Sequence, residues 1–269
     1  MPGPTLPKLL IAFTFLAVVL GTIERLWPAV RGQRRLRRGF LTDAAYWLFT
    51  PLVTRAVTRV AVALAVVLLA AAAGLSLDRA QVQGLAQGSP ALRGLPLAAQ
   101  VLLVLLLGDF IGYWTHRAFH RGRLWPFHAV HHSSTEVDWL SSVRLHPVND
   151  ALARLAQALP LLLLGMPAAA VAAYAPILTL YALLLHANVP WTFGPLRFVI
   201  ASPTFHRWHH TSEAEGRNRN FAGLFPLWDL LFGTFHLPAG RKPQRFGVDE
   251  PVPASLAGQL AYPFRRSPA

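Results

Sequence analysis

The stretch FHRWHH, residues 205–210, puts His206, His209 and His210 into five consecutive positions. HAVHH, residues 128–132, repeats the same H-x-x-H-H spacing with His128, His131 and His132. A third group, HRAFH, sets His116 and His120 four residues apart. On a helix, positions i, i+3 and i+4 share one face, so each group presents its imidazoles side by side. Each triplet is therefore expected to aim three nitrogens at a common centre. Neutral imidazole is a ligand for zinc, iron, copper and nickel. Eight clustered histidines exceed what one ordinary site accepts, so two ions are expected. The other three of the eleven histidines, His146, His186 and His236, stand alone, and an isolated His236 reads as a packing residue.

The residues that do not accompany these histidines narrow the chemistry. A zincin protease carries H-E-x-x-H with Glu as base, but Arg117 follows His116. Soluble di-iron bundles use E-x-x-H pairs, and that pattern does not occur. There is no cysteine, which excludes thiolate metal sites, cysteine-ligated clusters and disulfides. Nearly all-imidazole ligation leaves the ionic charge uncompensated, which favours binding of anionic oxygen species. Asp109 and Tyr113 fall on the same helical stripe as His116 and His120. An acid at the end of an apolar span is expected to be paired or functional, and Asp109 is expected to accept a hydrogen bond from a ligand imidazole.

The elements that must position these groups are apolar. The chain is 54% hydrophobic and 14% charged over 269 residues, against about 25% charged in soluble domains, and its mean hydropathy is +0.39. Residues 9–23 read as a first membrane helix ending near an interfacial Trp27, retained rather than cleaved as a signal peptide. RGQRRLRRG, residues 31–39, marks the cytoplasmic side and by itself reads as a solvated charge run. Residues 42–59 begin as an interfacial helix, 60–77 form a second span, 78–95 a short loop on the far side, and 95–114 a third span. Residues 151–166 and 167–185 form a helical hairpin that goes out and back. Counting crossings brings every histidine group to the cytoplasmic side.

The expected fold is all-α and integral to the membrane, with about four transmembrane helices, including the hairpin, and a cytosolic histidine-rich helical cap. The expected divisions are N-terminal helices and Arg-rich loop at 1–95, a histidine-box domain at 96–240 with the hairpin at 151–189, and a loosely held tail at 241–269. The net charge of +13 is almost entirely arginine, Lys8 and Lys242 being the only lysines. With these apolar runs it points to a membrane surface rather than to nucleic acid.

The combination of H-x3-H and two H-x2-H-H boxes, separated by a membrane hairpin, resembles the fatty acid hydroxylase/sterol desaturase superfamily of membrane di-iron enzymes. RLHPVND (144–150), LLHANVP (184–190), SPTFHRWHH (202–210) and NRNFAGLFPLWDLLFGTF (218–235) add to the likeness, which runs from about residue 102 to residue 235. The resemblance implies metal ligation by His116, His120, His128, His131, His132, His206, His209 and His210, with His186 as a ninth ligand. Pro190 stands where relatives often carry a further histidine, and Asn188 is the substitute ligand. His146 is implied as a supporting or structural residue, and Asp138, Asn220 and Asp229 as residues that orient ligands.

The same resemblance implies two iron ions, for which zinc can substitute in a purified sample, and O2 as co-substrate. The reaction would be hydroxylation or desaturation of a C–H bond in a membrane lipid. No dinucleotide-binding glycine fingerprint is present, so electrons would come from a separate reductase, ferredoxin or small cytochrome. The expected location is the inner membrane of a bacterium, with the active site on the cytoplasmic side. A zinc-dependent membrane hydrolase using Glu136, Glu213 or Glu215, a metal transporter, and a non-catalytic lipid-binding protein remain alternatives.

Overall fold

The computed structural model describes residues 5–72, 74 and 78–265. Residues 1–4, the end of the expected 60–77 span at 73 and 75–77, and the tail at 266–269 lie outside the described residues. Twelve α-helices are described: α1 (Leu6–Leu26), α2 (Phe40–Phe49), α3 (Arg55–Ala72), α4 (Arg79–Gln87), α5 (Pro90–Arg93), α6 (Leu97–Phe119), α7 (Trp125–His132), α8 (Pro147–Leu163), α9 (Ala168–His186), α10 (Pro203–His209), α11 (Leu227–Leu231) and α12 (Leu256–Ala261). Among the described residues there is no strand beyond an isolated bridge between Thr211 and Phe246. Among the described residues, four stretches are long and apolar enough to cross a membrane: Leu6–Leu26, Phe40–Ala72, Leu97–Phe119 and Ala168–His186. The protein is an all-helical integral membrane protein.

Two boundaries differ from the sequence expectation. The separate interfacial helix at 42–59 and span at 60–77 are one rod, α2 and α3 joined through a π-helical turn at Thr50–Thr54. Pro51 has no N–H to donate and its ring crowds the preceding turn. The register loosens there, and Arg55 N–H bonds the Thr50 carbonyl five residues back. The first hairpin arm starts at Pro147 rather than 151, and its 17 residues include Asp150, Arg154 and Gln157. Its short length and these polar residues leave α8 out of the set of spans. Gly165, at φ +77°, turns α8 into α9, and its carbonyl accepts the Ser89 N–H at 2.8 Å. This contact marks the end of the bundle remote from the histidines.

Chain direction alternates between these ends. α1, α6 and α9 finish at the histidine end, while α2 and α8 begin there. Between α6, α8 and α9 pack Val104, Leu161, Met166, Ala170 and Tyr174. Gly108 permits this approach: a Cβ there would meet Tyr174 Cζ at 2.8 Å. A second core joins α1 and α9 through Leu20, Trp139, Leu140, Leu183 and Val189. The outer faces stay apolar and unpartnered, with Ile11, Phe15 and Leu68 each more than 60% exposed, as lipid-facing helices require.

Two further expectations are corrected at the histidine end. The Arg-rich loop is not wholly solvated. Arg37 is buried and bonds Asp43 at 2.7 Å and Asp138 at 2.6 Å. Asp43 in turn receives Arg144 at 2.6 Å. Such charges are tolerated in the interior only because each is paired and hydrogen-bonded. Nor is the tail loosely held over its described part. The Thr42 hydroxyl donates to the Ala254 carbonyl at 2.6 Å, Gln259 is buried and donates to the Pro253 carbonyl, and Phe264 packs on Phe127 with centroids 5.5 Å apart.

Candidate metal centre

Four helix ends converge to build the centre. The last turn of α6 supplies His116, with His120 as its C-cap. The short α7 carries His128, His131 and His132, and α9 ends on His186. α10 carries His206 and His209, with His210 as C-cap, and is started by Pro203 at N1 and by Ser202, whose hydroxyl accepts the Phe205 N–H. The nine imidazoles form two groups, His116, His120, His128, His132 and His209 in one and His131, His186, His206 and His210 in the other, with ligand atoms within 4.8 Å of one another in each group.

This division corrects the expectation that each triplet serves one centre. In both H-x-x-H-H boxes the i and i+4 residues go to one group and the i+3 residue to the other. His128 and His132 join the first group and His131 the second. His206 and His210 join the second and His209 the first. Rings one turn apart point the same way, whereas the i+3 ring is rotated by about 60° from i, enough to reach a neighbouring centre.

In five of the nine rings the outer nitrogen shows what the inner one can do. His116 Nδ1 donates to the Phe221 carbonyl at 2.8 Å, His131 Nδ1 to the Arg144 carbonyl at 3.0 Å, His186 Nδ1 to the Ala182 carbonyl at 2.8 Å and His209 Nδ1 to the Arg219 carbonyl at 2.8 Å. His128 Nδ1 donates to Asn149 Oδ1 at 2.9 Å. These bonds assign the proton to Nδ1 and leave a lone pair on Nε2. Yet His116 Nε2 faces His128 Nε2 at 3.0 Å, and His131 Nε2 faces His186 Nε2 at 3.2 Å. Two lone pairs at that distance repel unless a cation lies between them. A proton is a poor candidate, because burial holds His128 and His131 well below the ordinary imidazole pKa. Donors about 2.0–2.1 Å from a shared ion lie about 3.0–3.4 Å apart, so the residues present fit a metal in each group.

The supporting residues take places that sequence reasoning reached only in part. Asp109 does not bond an imidazole. Its carboxylate accepts the N–H groups of Gly223, Leu224 and Phe225 at 2.8–3.1 Å. Asp229, raised in pKa by burial, accepts those of Phe221 and Ala222 at 2.8 and 2.9 Å. Together they hold the loop whose Phe221 carbonyl receives His116. Asn220, at φ +58°, ties α10 to the following chain by donating to the carbonyls of Phe205 and His236. Asp138 caps the 3-10 turn Trp139–Val143 and pairs with Arg37.

Asn188, expected as a substitute ligand, instead exchanges both amide bonds with Val30, because the chain after α1 folds over it. His146 is structural: it caps α8 by accepting the Val148 N–H and donates to the Leu260 carbonyl. His236 packs edge-on against Trp208 at 4.8 Å. Sequence reasoning missed the role of Asn149, three residues after His146 on the first turn of α8, and of Arg37, Asp43 and Arg144 behind His131. The signal for Asn149 was its place in RLHPVND.

Residues 101–234 match the family described as Fatty acid hydroxylase. The chain is 36% identical over 173 residues to an ornithine lipid hydroxylase of Rhizobium tropici, covering 64% of this chain and 52% of that one. It is 30% identical over 145 residues to human alkylglycerol monooxygenase, covering 54% and 32%, and 31% identical over 186 residues to a very-long-chain aldehyde decarbonylase of rice, covering 60% and 29%. The chain thus spans about half the length of the first of these relatives and about a third of the others. No solved structure matches it.

Proposed function

Starting from its membership of the fatty acid hydroxylase family, we propose that this chain is a membrane di-iron oxygenase that hydroxylates a lipid C–H bond. The observation that carries the reading is that, in each group, Nε2 lone pairs face each other, His116 against His128 and His131 against His186, while the Nδ1 protons of these four rings are already committed. Iron bound there would supply the redox capacity to reduce O2 and oxidise an unactivated C–H bond. Overall, C–H, O2, two electrons and two protons become C–OH and water. The nine ligands would be His116, His120, His128, His132 and His209 on one ion and His131, His186, His206 and His210 on the other. Asn149 and the carbonyls of Phe221, Arg144, Ala182 and Arg219 hold five of those rings, His128, His116, His131, His186 and His209, in the Nδ1–H tautomer and fix their aim.

The electrons come from a separate protein, a reductase, ferredoxin or small cytochrome. Exposed Arg31, Arg34, Arg35 and Arg38 supply a positive surface that would steer an acidic donor. This surface also supports a cytoplasmic placement of the histidine end, in the inner membrane of a bacterium.

A hydrolase is less well supported, because its candidate bases are engaged away from the imidazoles. Glu136 accepts the Arg38 N–H, Glu213 accepts those of Gln244 and Arg245, and Glu215 pairs with Arg241.

Metal analysis of iron-supplemented protein in detergent tests the reading. Two irons per chain are expected, with O2 consumption on reduction. His209→Ala should deplete the first ion and His131→Ala the second, each abolishing activity while the protein stays membrane-inserted. Full occupancy in both variants would overturn the ligand assignment.

A further inference from the structure

The rod from α2 to α3 carries two guanidiniums that the chain leaves without a carboxylate. Arg55 and Arg59 lie one turn apart on the span Phe40–Ala72, and both are exposed. Arg59 Nε donates to the Arg55 carbonyl at 3.2 Å. Among the described residues neither arginine forms an ion pair. Arg154 on α8 and Arg59 both press their charge on Arg55, with Asp150 as the opposing acid. Asp150 is already engaged. Both its oxygens accept from Arg154 Nε at 2.9 Å, and one also accepts from the Thr58 hydroxyl at 3.3 Å. A cation on a membrane helix is costly unless an anion meets it, so the positive charges of Arg55 and Arg59 need a counter-charge from outside the chain.

The level of this cluster in the bilayer follows from α8. That helix begins at the histidine end, Asp150 lies in its first turn, and the Thr58 bond sets Arg55 and Arg59 beside it. Beyond Arg59 the described part of α3, residues 60–72, carries no charge and continues for about 20 Å at the helical rise. The guanidiniums therefore sit where hydrocarbon gives way to head groups. The same elements open a groove. A cavity of about 370 Å³ lies between α3, α8 and α9, with Arg59 and Arg154 at one end and Val62, Leu161 and Val171 along the remainder. From Arg154 to Leu161 it follows α8 for about 10 Å, away from the histidine end and toward the Gly165 turn. None of the nine imidazoles lines it.

We propose that this groove holds one resident phospholipid of net negative charge, with its phosphodiester against Arg55, Arg59 and Arg154 and an acyl chain along Val62, Leu161 and Val171. Charge and depth together choose the occupant. Phosphate oxygens accept charge-assisted hydrogen bonds from guanidiniums, and basic recesses between membrane helices suit anionic head groups. A zwitterionic lipid would bring a cation of its own to a cluster whose three guanidiniums face a single carboxylate. A purely apolar partner helix would fill the groove and leave those guanidiniums unmet. Because no imidazole lines the groove, the lipid held there is a fixture of the fold and not the molecule oxidised. Its binding is independent of the reaction at the metal centre.

Native mass spectrometry of the full chain in detergent, titrated with phosphatidylglycerol or with phosphatidylcholine, tests the proposal. One phosphatidylglycerol per chain is expected, bound several-fold more tightly than phosphatidylcholine. The Arg55→Gln/Arg59→Gln double variant, which breaks no ion pair, should lose that preference. Val62→Trp, which fills the groove, should lose the bound lipid. Both should keep the metal content of the unaltered protein. Arg34→Gln/Arg35→Gln, on the exposed loop, should leave lipid binding unchanged. Equal binding of the two lipids by the unaltered chain would overturn the proposal, as would unchanged binding in both groove variants or loss of binding in the loop variant. A lipid recovered from the purified protein with an added oxygen would identify the occupant as substrate and overturn its resident role, while leaving the oxygenase reading standing.

Discussion

His128 reaches Asn149 across the gap between α7 and α8, and the amide oxygen at 2.9 Å is what decides which ring nitrogen stays free. Loss of such an outer partner typically costs 10–100-fold in metal affinity. Asn149→Leu is therefore expected to weaken metal binding by about that factor, as read by competition with a chromophoric chelator, while Asn149→Asp retains affinity because its carboxylate still accepts the proton. At this scale the sequence was informative about which imidazoles gather and less so about what stands behind them. Eight of the nine histidines carry a spacing that points to a shared site, whereas His186 stands alone in the sequence and is reached only through the family resemblance. Four of their acceptors, however, are backbone carbonyls at Phe221, Arg144, Ala182 and Arg219, and a carbonyl leaves no mark in an amino-acid alphabet. The same limit applies to Asp109. Its helical stripe is shared with His116, but its partners are three amides more than a hundred residues away.

The helices contribute chiefly by where they end. α2 begins beside the centre and holds Asp43 between Arg37 and Arg144, whose own carbonyl fixes His131. Removing one partner of a buried ion pair usually costs about 3–5 kcal/mol, because a charge is left uncompensated. Asp43→Ala is expected to lose stability of that order in a thermal or denaturant melt and to loosen the second metal group. Between the spans, Gly108→Leu would drive a side chain into Tyr174 and separate α6 from α9. Overpacking of this kind costs about 1–3 kcal/mol, measurable as a lowered melting temperature in detergent. Apolar length revealed α1, α6 and α9 well in the sequence. The rod from α2 to α3 reads as two elements because its first half is polar enough for an interfacial helix, and the π turn at Pro51 that keeps it continuous has no periodic signature. In sequence α8 reads as beginning at 151, four residues past its true start, because its first turn is polar for a reason outside itself, its contact with His128.

The whole molecule is a bundle whose polar chemistry is confined to one end, with apolar flanks for hydrocarbon and a C-terminal segment folded back across the histidines. Crossing arithmetic anticipated that common end, since each span had only one way to return. The packing of the tail was not anticipated. Its Pro- and Arg-rich composition matches an unanchored segment, whereas the Thr42 and His146 contacts that hold it are made by residues far away in sequence.

The interleaving of α7 and α10, in which neighbouring residues on one turn serve different centres, makes the two occupancies interdependent. An ion that orders α7 and α10 for one centre has already immobilised the rings of the other, so the second ion meets a smaller entropic barrier than the first. Titration of apoprotein with Fe(II) is expected to be sigmoidal, with little singly filled protein at the midpoint. Independent hyperbolic filling would show instead that the two short helices are rigid before any ion arrives.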